Sequence, residues 1–188
     1  MESSSAGGLN NMALTLLSTQ SGTNQATMSF TSGIDSTYLL YLFRWTDVNP
    51  ATDQVEFSFQ VNAAAASGFN ETVTSTYWRA YQQENDGSAG VGYESANDQA
   101  QGTGYQYIAI QMGAETDECG SGILHIFNPS STTYVKNWYA RLNNYAQDDS
   151  SRDIFTSGYF NLTTAIDEIS FKMSSGNFDG VIQMYGIS

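Results

Sequence analysis

A chain of 188 residues with one histidine and one cysteine holds few groups able to do covalent chemistry. A Ser-His-Asp relay needs an imidazole, so His125 is its only candidate base. It lies in GILHIF, alternating with Ile123 and Phe127 on one strand face, the setting of a packed or hydrogen-bonded histidine. Cys119 sits in DECGSG beside Asp117 and Glu118. Neighbouring carboxylates raise a thiol's pKa, the wrong direction for a nucleophile. Adjacent acids also occur as Asp148/Asp149 and Asp167/Glu168. Glycoside hydrolysis needs two carboxyls converging on one bond, whereas consecutive strand residues point to opposite faces. The stretch DDSSRD (148–153) lacks the spacing of a calcium loop and carries Arg152 among the would-be ligands. GSAGVG and GTG do not sit between a strand and a helix, as a phosphate-binding loop must. One Cys and one His cannot complete a structural zinc site. The expectation is a non-enzyme with no catalytic residue, cofactor or metal.

Aromatic side chains are the remaining candidates. Tyr77-Trp78 with Tyr81, and Trp138-Tyr139, suit a subunit contact, a sugar-stacking platform or a place in the core. Because strand neighbours face opposite ways, one member of each pair should face out if its strand lies at a sheet edge. These five are the candidate surface or subunit contacts.

The elements that must position them are strands. No long stretch repeats apolar residues at helical spacing, and charged residues, at 13% of the chain, are too few to build charged helix faces. Period-two runs are plentiful. VEFSFQVN sets Val55, Phe57, Phe59 and Val61 on one face and Glu56, Ser58 and Gln60 on the other. ISFKM and ATMSF alternate in the same way, each the mark of a strand with one buried face. The runs 37–45, 105–112, 122–127, 133–142 and 181–187 are apolar on both sides of the pleat, as in a central strand or one covered by a partner. Asn49-Pro50 and Asn128-Pro129 should end strands, since proline lacks the ladder donor. Residues 82–104 read as the longest loop, and NAAAASG (62–68) as another. The final run, VIQMYGI, reads as a strand of the sheet with the preceding strand as its hairpin partner, able also to pair with an early strand and lock the sheet edge. The pattern predicts an all-β fold: an antiparallel two-sheet β-sandwich, jelly-roll-like, of about nine or ten strands. Residues 1–12 are expected to form a flexible lead or docking arm, and 13–188 a single domain.

Composition narrows the partners. A net charge of −13 repels phosphates and anionic lipid surfaces, which argues against nucleic acid and membrane partners. No apolar run approaches the roughly 18 residues of a membrane-spanning helix. The opening MESSSAGGLNNMALTLL lacks the basic region and apolar stretch of a secretory signal. A lone cysteine rules out an internal disulfide, and a chain this long buries roughly 70% of its unfolded surface without one.

Four phrases carry a resemblance: FTSGIDSTYLLYLFRWTDVNPATDQVEFSFQVN, SGFNETVTSTYWRAY, SGILHIFNPSSTTYVKNWYARLNNY and SGYFNLTTAIDEISFKMSSGNFDGVIQMYGIS. Across residues 13 to 187 the chain resembles a family of small virion structural proteins of tailed bacteriophages with aquatic hosts. The resemblance implies a jelly-roll-like sandwich at the virion surface, as a decoration or fibre component, and supplies no catalytic residues. A capsid decoration or cement protein is the first expectation: a homotrimer made in the host cytoplasm and seated on other virion proteins such as the major capsid protein. A fibre needs an attachment module and a shaft, for which a dozen leading residues leave little room. The alternatives are a tail-fibre or receptor-binding tip recognising host surface glycans and, third, a small polysaccharide depolymerase.

Overall fold

A computed structural model describes residues 13–188; the expected N-terminal arm, 1–12, lies outside the described residues. There is no helix among them. The strands are β1 (Leu14–Gln25), β2 (Met28–Phe30), β3 (Leu40–Pro50), β4 (Val55–Ala63), β5 (Val73–Gln83), β6 (Ala89–Tyr93), β7 (Ala100–Gly102), β8 (Gln106–Met112), β9 (Gly120–Phe127), β10 (Lys136–Ala146), β11 (Ser150–Phe160), β12 (Ile166–Met173) and β13 (Phe178–Ile187).

All pair antiparallel within one thirteen-stranded sheet ordered β1-β13-β3-β9-β10-β8-β4-β12-β2, and a branch runs from β10 through β11 and β5 to β6 and β7. Every residue of β10 from Lys136 to Ala146 pairs with β11, whereas its link to β8 is the single pair Ala146–Met112. At that joint the sheet turns a corner. The limb β8-β4-β12-β2 then lies back over the inner face of β3, β9 and β10. Only Ala26 and Thr27 separate β1 from β2, the two ends of the path, so the sheet nearly closes into a barrel-like shell.

The all-β expectation therefore holds, and the finer one is corrected. One continuous sheet of thirteen strands forms, not a two-sheet jelly roll of nine or ten. The extra strands come from the expected 82–104 loop, which contains β6 and β7, and from β11, whose start lies inside the acidic stretch 148–153. Strands of three and five residues are too short to show a period.

Alternation selects the core. Tyr41, Phe43 and Trp45 of β3 point inward, while Arg44 between them is exposed. Phe171 of β12 sits among Phe43, Trp45, Phe57 and Phe59, with ring centroids 5.7, 6.2, 5.9 and 6.3 Å away. Phe59 meets Trp138 edge-on at 5.0 Å. Such pairs each contribute about 0.5–1.5 kcal/mol beyond simple burial, and those of Phe171 with Phe43 and Trp45 and of Phe59 with Trp138 lock one limb onto the other.

Strand β4 departs from the one-buried-face expectation. Ser58 and Gln60 are also buried, because neighbouring loops cover that side. The Gln60 amide donates to the carbonyls of Glu71 and Gly104 at 3.0 and 2.9 Å, so the buried polar group is satisfied. Lys136 is likewise buried, its ammonium donating to the carbonyl oxygens of Tyr134, Leu162 and Thr163.

The C-terminal strand is internal. β13 pairs with β1 along one edge and with β3 along the other. The hairpin partner expected from sequence, β12, pairs instead with β4 and β2. That strand lies in the opposite limb, where Phe171 meets Phe43 and Trp45 of β3 across the core.

Candidate functional site

The pairs Tyr77-Trp78 and Trp138-Tyr139 split across the sheet as strand geometry requires. Tyr77 and Trp138 are buried, at 0% and 2% exposure. Trp78, at 48%, and the half-buried Tyr139 point to the outer face. Tyr81 shares the inner side of β5 with Tyr77 and lies near its end, with the Arg79 guanidinium 4.8 Å above its ring.

Register joins the outward residues into one row. On β9, His125 stands opposite Tyr139 of β10. Tyr139 stands opposite Ser157 of β11, two residues along from Phe155. Phe155 faces Trp78 of β5, and Trp78 faces Tyr93 of β6. Cross-strand partners share a face, and ring contacts follow the register. His125 stacks on Tyr139 at 4.5 Å, Tyr139 on Phe155 at 6.4 Å, and Trp78 meets Tyr93 edge-on at 5.3 Å. Phe127 adds a tilted contact with Tyr139 at 5.8 Å. Trp78, Tyr93, Phe127 and Phe155 all remain exposed. At about 4.8 Å between strands, the row from β9 to β6 spans roughly 20 Å.

A polar margin borders it. Arg141, opposite Phe155, makes a two-pronged bond to Asp153, Nε to Oδ1 at 3.1 Å and Nη2 to Oδ2 at 2.8 Å. Beside it Asn143 donates to Ser151 Oγ. Ser121, Ile123, Arg141, Asn143 and Asp153 line a shallow depression of about 420 Å³.

The groups read from sequence as possible chemistry go elsewhere. Burial holds the His125 imidazole below its ordinary pKa, and its Nδ1 has no hydrogen-bond partner among the described residues. A triad histidine needs a carboxylate to orient it; this one is oriented by stacking on Tyr139. The Cys119 thiol is pushed up by burial and by Asp47 and Asp117. Glu118, expected beside it, instead turns inward and accepts the Glu115 N–H at 2.6 Å. Asp148 is bound by Arg152 and Ser150, so the arginine in the acidic stretch neutralises it. Among the described residues no group of His, Cys, Asp or Glu is placed to hold a metal ion.

Sequence reasoning named Trp78 and Tyr139 but missed Phe155, Tyr93, Phe127 and His125 as members of the same surface. The available signal was period two within each strand: Phe155 is the outward residue between buried Ile154 and Thr156. What single strands could not show is which strands are neighbours. No protein-family model matches this chain, and neither does any curated protein.

Proposed function

We propose that this chain is a structural protein of a bacteriophage virion, a capsid decoration protein that docks on the major capsid protein through the outer aromatic row. The observation that carries the reading is the row itself. Stacked Tyr, Trp and Phe side chains with an arginine at the margin are the residue types enriched at protein–protein contacts. A row roughly 20 Å long, set on the sheet, is long enough to form the centre of one side of a standard interface of about 800 Å². The sequence resemblance to phage virion proteins supplies the kind of particle. On this reading the protein is made in the host cytoplasm, assembles on the virion surface as a homotrimer, and works through contact surfaces without catalysis.

A receptor-binding tip for host surface glycans is the second reading, favoured by the Arg141–Asp153 pair beside Phe155, since sugars stack on rings and bond to such groups. Imaging purified particles with a label on this protein separates the two. Many labels over the head support decoration; labels at the tail alone overturn it and favour the tip. Light scattering over a wide concentration range tests the trimer, and a monomer mass throughout contradicts it.

A further inference from the structure

Strand β1 ends the sheet path. One of its edges pairs with β13, and the other meets no strand among the described residues. An open edge presents a row of backbone N–H and C=O groups, a template for a further strand. Proteins blunt such edges by keeping them short or by placing charges and proline on them. The other strands that end the path or its branch are short: β2, β6 and β7 have three, five and three residues. β1 has none of these safeguards. Its twelve residues, LTLLSTQSGTNQ, include no charge and no proline. At the usual rise per residue it is about 40 Å long. Leu14 and Leu16 stand on it at 53% and 51% exposure.

Length and charge select the occupant. The β2, β6 or β7 edge of another copy would cover at most five of the twelve residues. A second β1 matches the strand along its length. A net charge of −13 sets copies of this chain against one another wherever their acidic surfaces meet. Along β1 no such repulsion arises, because neither copy brings a charge to the contact. Antiparallel pairing of a strand with its own copy is two-fold, so every contact made in one direction is returned in the other. We propose that β1 is a self-association edge: β1 of one copy pairs antiparallel with β1 of a second and joins the two sheets into one.

The inference does not rest on the decoration reading, which is tested on particles. Two-fold pairing gives even assemblies: two chains, or six where a three-fold contact also forms. The test combines light scattering of the full chain over a wide concentration range with amide-resolved hydrogen exchange. The expected mass is two or six chains. A free edge leaves alternate amides of β1 fast to exchange, whereas pairing on both sides protects them all from Ser18 to Gly22. Leu16→Lys with Thr19→Lys sets like charges against each other across the pair while lowering each copy's net negative charge. That double variant should halve the mass, to one chain or three, and return alternate β1 amides to fast exchange. Val91→Lys, on the β6 edge, should change neither. Should the double variant fail to fold, exchange in the wild-type chain decides alone. A mass of one or three chains at every concentration overturns the proposal, including where residues 1–12 cover the edge within one copy. An even mass with alternate β1 amides still fast, or an even mass retained by the folded double variant, overturns it as well.

Discussion

The His125 ring lies on the Tyr139 ring, centroids 4.5 Å apart and planes within 27°. The contact couples the chain's only histidine to the aromatic row and makes its protonation a stability variable. Burial holds the folded pKa below 6.5, the value the unfolded chain should show. The unfolded state therefore takes up the proton first as the pH falls. His125 leaves stability intact above about pH 6.5, and stability falls as the pH drops from there through the folded pKa.

Urea melts between about pH 8 and 5 should show that decline, and His125→Gln should flatten it. Asp35 and Asp148 act below this window. Hydrogen bonding from Thr37 holds Asp35 below its ordinary 3.8. Against the raising effect of burial, Ser150 and Arg152 hold Asp148 below the same value. Stability tied to either acid is lost only at more acidic pH. An equal slope in wild type and His125→Gln contradicts the assignment.

Gly158 tests how closely β11 lies against its neighbours. A Cβ there would come within 2.9 Å of the Trp138 ring and 3.0 Å of Ser75 Cα, and nearer still to the Thr74 carbonyl oxygen. Two of those contacts are backbone and cannot swing away. Gly158→Ala should cost about 1–3 kcal/mol in denaturant unfolding. Gly92→Ala, where nothing lies within 4 Å, should stay within about 0.5 kcal/mol of wild type.

Because β13 lies between β1 and β3, its last residues hold two neighbours. Tyr185, Gly186 and Ile187 pair with Leu16, Thr15 and Leu14 on one side and with Leu42, Tyr41 and Leu40 on the other. Removing residues 185–188 unpairs both strands and exposes sheet edges. The expected loss is about 2–4 kcal/mol, read as an earlier urea midpoint. An unchanged midpoint contradicts the topology.

The two sides of the sheet should respond differently to truncation. Phe171→Ala opens a cavity among five aromatic neighbours and should cost about 3–5 kcal/mol. Trp78→Ala removes a half-exposed ring and its edge contact with Tyr93, so about 1 kcal/mol is expected. The outer change should instead reduce incorporation into particles, measured by mass spectrometry of purified virions. Normal incorporation of a Trp78→Ala, Phe155→Ala variant contradicts the docking role.

Much of this arrangement was legible in the sequence because period two is a local signal. The runs at 55–61, 122–127 and 181–187 all fall within observed strands, and 105–112 does so except for Tyr105. The split of Tyr77 from Trp78 and of Trp138 from Tyr139 follows from the same rule. Topology was not legible. Nothing local says that β11 lies between β10 and β5, yet that placement brings Phe155 between Tyr139 and Trp78 and makes a surface of them. Buried Ser58 and Gln60 read as solvent-facing because loops far along the chain cover them.

If the outer aromatic row is a contact surface in an assembled particle, its rings are open to solvent only in the free protein. Hydroxyl-radical footprinting of intact virions against the isolated protein measures this directly. Trp78, Tyr139 and Phe155 should be oxidised in the isolated chain and shielded in the particle, while Leu16 on β1, at the end of the sheet path and outside the row, should react alike in both. Equal oxidation of the three rings in both samples, or absence of the protein from the particle, would contradict it.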